Sequence, residues 1–189
     1  MADLYEDDAV LGAVLVGGGS RRMGQPKALI RVDGSAMVDR MGAVLSAAGC
    51  SRVVAVGPTD LAGQLEHVAD LYPGDGPLGG VLTAMSASGS APLVCVVACD
   101  LMSLGVDSVA SLIQVARRDA DADVVAAHSD RLEPLCAVWR VARQPVLQAQ
   151  FDSGERAVHR AIGALLLRTC EVPLAALRNV NSPDDLPTR

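Results

Sequence analysis

The sequence predicts an α/β domain with a mostly parallel, mixed central sheet flanked by helices. Three observations carry that prediction. Short β-branched or continuously apolar runs recur along the chain, stretches of helical pattern separate them, and several runs stop at a glycine or an aspartate. Strands separated by helices of this length form βαβ units with right-handed crossovers. The chain has 189 residues, half of them hydrophobic, which is ample for one core. Only 2% are aromatic, so packing falls to Ala, Val and Leu.

In order, Leu11–Val16 reads as a buried strand and Ala36–Ala48 as a helix with Ser35 as its N-cap. Arg52–Val56 is β-branched and stops at Gly57-Pro58, a strand, and a short strand follows at His67–Ala69. Gly79–Ser88 reads as helix, and Leu93–Ala98 as a strand apolar throughout and buried on both faces. A helix at Val106–Arg118, strands at Asp123–His128 and Pro134–Arg140, helices at Pro145–Phe151 and Ala157–Leu165, and a strand at Leu166–Cys170 complete the series. The acidic residues 1–8 are expected to be a disordered tail and residues 9–189 a single domain with no linker.

Composition excludes several functions. A net charge of −6 and scarce aromatics argue against nucleic-acid binding, which needs a cationic surface and stacking platforms. The N-terminus lacks the order of a signal peptide and no apolar run has membrane-spanning length, so no membrane partner and a cytoplasmic location are expected. Cys50, Cys95, Cys99, Cys136 and Cys170 contain no CxxC pair and read as small buried hydrophobes. His67, His128 and His159 pair with no cysteine at ligand spacing, so no zinc site is expected.

Against this acidic background, "AVLVGGGSRRMGQPKALI" (Ala13–Ile30) forms a local positive island. Glycines following a strand expose backbone N–H groups, and Arg21, Arg22 and Lys27 add cations suited to a small phosphate anion. The loop is not a P-loop: Gln25-Pro26-Lys27 replaces the Lys-Ser/Thr pair, and Pro26 blocks the required helix start. Nor is it the dinucleotide fingerprint, because Arg22 occupies the third glycine position. Ligands in such sheets bind at the strands' carboxyl ends, where Cys99-Asp100 and Asp70 also stand.

The loop closely resembles the signature of the molybdopterin (molybdenum cofactor) guanylyltransferases, whose loop reads roughly L-A-G-G-x-S-x-R-M-G-x-x-K-x-L-L. "DGPLGGVLTAM" (Asp75–Met85), "CD" (Cys99-Asp100), "EPLCAVWR" (Glu133–Arg140) and "NVNSPDDL" (Asn179–Leu186) resemble further family segments in the same order. The likeness covers nearly the whole chain and implies a Rossmann-like nucleotidyltransferase fold. Val16 stands where the family usually has alanine, Leu101-Met102 lacks a common proline, and Glu133 replaces a common histidine.

The activity implied by this resemblance is magnesium-dependent transfer of GMP from GTP to the phosphate of a molybdopterin-type acceptor, releasing pyrophosphate. Leu15, Val16, Gly17, Gly18, Gly19, Lys27, Asp70, Gly76, Gly80 and Asp100 are the implied nucleotide-binding residues. Lys27, Arg22 and Asp100 are the implied catalytic residues, with Asp100 the magnesium ligand. Asn179, Asn181 and Arg156 are assigned to the acceptor. The residues themselves also allow plainer roles. Arg21 suits a solvated surface, Asp100 a helix N-cap, and Arg156 and Arg160 a solvated helix face; Ser182-Pro183-Asp184-Asp185 reads as a capping box. Alternative functions are cytidylyl transfer, another phosphate acceptor such as a cobamide, or a non-catalytic module passing cofactor to a delivery protein or molybdoenzyme. Against cytidylyl transfer stand Leu15-Val16-Gly17-Gly18 and Asn179-Val180-Asn181, where those relatives tend to have L-A-A-G and D-x-D.

Overall fold

The computed structural model describes residues 9–17 and 26–180. The expected N-terminal tail, Gly18, Gly19, Arg21, Arg22, Asn181 and the capping box at Ser182 lie outside the described residues.

Seven strands form one sheet. They are β1 (Val10–Leu15), β4 (Arg52–Val56), β5 (Glu66–Val68), β6 (Leu93–Ala98), β7 (Val124–His128), β8 (Leu132–Arg140) and β9 (Leu167–Glu171), ordered β5-β4-β1-β6-β8-β7-β9. All neighbouring pairs are parallel except those β8 makes with β6 and β7, so one strand runs against the other six. The interior strand β1 is buried along its whole length. Val10 and Val14 face one apolar layer while Leu11, Ala13 and Leu15 face the other, the two-residue period of a strand covered on both sides. Helices α1 (Met37–Ala47) and α3 (Val106–Arg118) supply the first layer. Helices α2 (Pro77–Ser86), α4 (Gln144–Asp152) and α5 (Val158–Ala161) supply the second.

Two local expectations need correction. Ser35 does not cap α1. It pairs with Val32 in a short ribbon of β2 (Arg31–Val32) and β3 (Ser35–Ala36), which leaves Ala36 as an N-cap without a side-chain hydrogen bond. The ribbon turns at Asp33-Gly34, both with positive φ, a pairing that favours a two-residue hairpin. The helix expected over Ala157–Leu165 is α-helical only over α5 and continues as one 3-10 turn, Ile162–Ala164. Elsewhere the differences are one to two residues at element ends.

The ribbon matters for the site. Ile30, Val32, Met37 and Val180 bury one another in a small cluster at the sheet's carboxyl edge. Met37 also donates its N–H to the carbonyl of Ile30 at 3.0 Å. The cluster fixes the segment carrying Lys27 and the segment carrying Asn179 side by side.

Candidate active site

A cleft of about 510 Å³ opens at the carboxyl ends of β1, β4 and β6. The carboxyl edge of a parallel sheet is the expected ligand position, and the volume lies within the ~300–1,000 Å³ range of small-molecule sites. Leu15, Val16 and Gly17 line it from the end of β1, and Gly76 and Gly80 from the start of α2. Lys27, Asp70, Asp100, Glu133 and Asn179 supply polar side chains to it. Of the sequence-predicted site residues that are described, only Arg156 does not line this cleft.

Each polar group has a built position. Lys27 opens a 3-10 turn, Lys27–Leu29, and its Nζ donates to Asp100 Oδ2 at 2.9 Å. The two side chains are only 17% and 19% exposed, so this ion pair is shielded from solvent. Asp100 does not act as the helix N-cap that the sequence allowed, because α3 begins at Val106 with Gly105 in the cap position. Val180 N–H donates to the carbonyl of Asp100 at 3.0 Å, which draws the C-terminal segment onto the same spot. The Oδ1 of Asn179 is buried with no hydrogen-bond partner among the described residues. A buried orphan oxygen is costly unless a ligand completes it.

That orphan oxygen and the Asp100 carboxylate are hard donors of the kind magnesium takes, one or two from protein and the rest from phosphate and water. The residues present therefore fit the metal the resemblance implies. Among the described residues no group of three or more His, Cys, Asp or Glu forms a metal cage, so phosphate oxygens would have to complete the coordination.

Asp70 has a structural duty as well as its place in the cleft. Its Oδ1 accepts from Tyr72 N–H and from the Thr83 hydroxyl, both at 3.0 Å. Thr83, buried on α2, thus ties the loop after β5 to the helix whose start lines the cleft. Gly76 turns the chain into α2 with φ of +84°, where the Arg156 carbonyl lies 3.2 Å from the position a Cβ would take. At Gly80 a Cβ would stand 3.3 Å from the Leu15 methyls, so this glycine serves the packing of α2 on β1.

Of the lining residues not assigned a site role from sequence, Cys99, Leu135 and Glu133 bear on the chemistry. Cys99 is buried, and burial followed by the Asp100 charge pushes its thiol up to about 12. It is a neutral wall of the cleft and not a nucleophile. Leu135 and Glu133 come from the start of β8, whose reversed direction brings its first residues to the carboxyl edge. Burial raises the Glu133 carboxyl above its usual range; its Oε1 accepts from Leu135 N–H at 3.3 Å, which works the other way.

Arg156 sits in a smaller neighbouring cleft of about 380 Å³ that shares Pro77, Glu133 and Leu135 with the first. Its guanidinium donates to the carbonyls of Phe151 and Glu155 at 2.6 and 2.9 Å and stacks 3.9 Å over the Phe151 ring. Arg160 in the same cleft donates to both oxygens of Glu155, at 2.6 and 2.7 Å. Among the described residues, no helix is long and apolar enough to cross a membrane.

Known proteins resemble this chain in sequence and fold. The profile of the MobA-like NTP transferase domain matches residues 12–167. The "Probable molybdenum cofactor guanylyltransferase" of Opitutus terrae is 32% identical, with 94% of this chain and 93% of that protein covered. Its namesake from Chloroflexus aggregans is 33% identical over 93% of this chain and 90% of its own. Among solved structures, molybdopterin-guanine dinucleotide biosynthesis protein A from Archaeoglobus fulgidus superposes with a TM-score of 0.73 at 23% identity, covering 93% and 94% of the chains. A nucleotidyl transferase from Methanothermobacter gives 0.76 at 14% identity, covering 94% of each. The chain belongs to the MobA-like NTP transferase family and is a nucleotidyltransferase.

Proposed function

We propose that the protein transfers GMP from GTP to the phosphate of a molybdopterin-type acceptor, with release of pyrophosphate. The observation that carries this reading is the shielded Lys27–Asp100 pair beside the orphan Asn179 oxygen, in a cleft at the carboxyl edge of the sheet. The relatives' names supply the guanine and the molybdenum cofactor.

In this reaction an acceptor phosphate oxygen forms a bond to the α-phosphorus of GTP as the bond to the β-phosphate oxygen breaks. Two anions must be aligned and their charge neutralised, so the protein's tasks are positioning and electrostatics. Asp100 and Asn179 Oδ1 would hold magnesium, which when bound supplies charge neutralisation at the α-phosphate. Lys27 exchanges Asp100 for the β- and γ-phosphates and stabilises the departing pyrophosphate, with Arg22 assisting. The backbone of Gly17 approaches the nucleotide through open space, since no described residue lies within 4 Å of where a Cβ would be. Cys99 stays protonated, in keeping with direct transfer and no covalent intermediate.

The test is incubation with GTP, magnesium and molybdopterin, followed by assay of pyrophosphate and of the guanine dinucleotide. Stoichiometric formation of both is expected. Pyrophosphate release with CTP in preference to GTP would overturn the guanylyl assignment.

A further inference from the structure

The antiparallel strand β8 enters the sheet at the edge where β1 and β6 leave it. Val97 of β6 lies opposite Cys136 of β8. Beyond that pair β8 is irregular, its partners on β7 jumping from Ala137 to Glu133, and the chain brings Glu133 into the same cleft as Asp100. Glu133 accordingly lines both clefts and stands at their junction.

The smaller cleft has apolar walls, made by Pro77, Pro134, Leu135, Ala157 and Val158. Its two guanidinium groups are engaged by Glu155, Phe151 and backbone carbonyls, and Arg156 also faces Asp75 at 3.9 Å. Glu133 is placed differently. One oxygen accepts from Leu135 N–H, and the Arg131 charge acts on the carboxylate without forming a salt bridge to it among the described residues. A half-buried carboxylate between apolar walls is completed best by a flat ring that offers two parallel donors. An amide N–H next to an amino group makes such an edge, and the bidentate, charge-assisted pair is strong and directional. Guanine and pterin both carry this edge. The smaller cleft contains none of Leu15, Val16 or Gly17, and Glu133 stands on the Asp100 side, so the acceptor's ring is the one in reach.

We propose that Glu133 binds the amide–amine edge of the acceptor's pterin ring in the smaller cleft and thereby sets specificity on the acceptor side. This rests on the guanylyltransferase reading above. Neopterin monophosphate, a fluorescent pterin bearing a phosphate monoester, is the probe. It is titrated into the wild type and Glu133→Gln, alongside a lumazine monophosphate that lacks the 2-amino group. GTP and ITP are titrated calorimetrically into the same preparations.

Glutamine turns one acceptor into a donor that opposes the amino group. Affinity for the pterin should fall at least tenfold in Glu133→Gln, and the preference for pterin over lumazine should vanish. GTP should bind both proteins equally, which also shows that the variant is folded. If Glu133→Gln does not fold, Glu133→Asp should show the same order of effects with a smaller loss. Equal pterin affinity in wild type and variant, or no saturable pterin binding by the wild type, overturns the proposal. So does a loss confined to GTP and absent with ITP, which would put Glu133 on the nucleotide base. Absence of any GTP preference over CTP or ATP would count against the guanylyl reading itself, whatever the pterin titration gives.

Discussion

Removing the Asp100 charge tests both the architecture and the chemistry of the cleft. Asp100→Asn keeps shape and volume but deprives Lys27 of the carboxylate 2.9 Å away. At an effective dielectric of ~20 the gross attraction at that distance is about 6 kcal/mol, most of it offset by the desolvation of both groups. A hydrogen bond between charged groups leaves a net of about 1.5–3 kcal/mol. With side chains 17% and 19% exposed, the pair belongs with shielded bonds and not with surface pairs. A loss of about 2 kcal/mol in a domain of this size lowers Tm by roughly 4–8 °C. Lys27→Gln should cost about the same, and the double variant no more than either alone, so the coupling in a double-mutant cycle is about 2 kcal/mol. Thermal and urea denaturation without nucleotide measure it. Turnover in Asp100→Asn should be abolished in every case. Coupling below ~0.5 kcal/mol, the level of an exposed pair, would refute the shielded-pair argument.

Further outcomes are expected. Lys27→Ala should weaken GTP far more than GMP, by about 1.5–3 kcal/mol for the triphosphate, in titration calorimetry; equal losses would place Lys27 away from the terminal phosphates. GTP should bind at least about tenfold more tightly than CTP or ATP, a gap of roughly 1.4 kcal/mol, measured with all three in magnesium. Hydrogen bonds from Arg160 and from the backbone of Ala157 and Arg156 hold the Glu155 carboxyl down at about 2. A depressed folded-state value means its stabilisation is full above the ordinary glutamate range and is lost as pH falls from there towards 2. Acid denaturation curves should therefore flatten in that window in Arg160→Ala, and NMR titration should show Glu155 rising towards its ordinary value. An unchanged Glu155 titration would discard the pairing.

Most of the sheet was legible because the strand signals are strong: Leu93–Ala98 is apolar throughout, and Arg52–Val56 is β-branched up to a Gly-Pro stop. The two-residue strands of the ribbon were missed although Asp33-Gly34 announces the turn, since two residues cannot show a period. The site was legible where a motif carries the chemistry, as at Lys27, Asp100 and Asn179. The ion pair itself was not, because a separation of 73 residues leaves no local trace. Arg156 shows the opposite limit. Its charge and position near a helix start favour a phosphate, yet the Phe151 ring and two carbonyls already engage its guanidinium.

The direction of β8 explains why the smaller cleft was the harder half to read. A parallel strand delivers its last residues to the ligand edge, so the eye looks for chemistry after each apolar run. An antiparallel strand delivers its first residues there instead. Glu133 precedes the apolar run Leu135–Val138, where that search does not look, and only the fold brings it into the same cleft as Asp100. The two carboxylates then stand in different settings on one edge. Asp100 is neutralised by Lys27 within the large cleft, and Glu133 borders the smaller one with the Arg131 charge nearby but no salt bridge among the described residues. A ligand that meets Asp100 through a phosphate and Glu133 through a ring edge would have to span both clefts, as an acceptor with a phosphate at one end and a pterin at the other can.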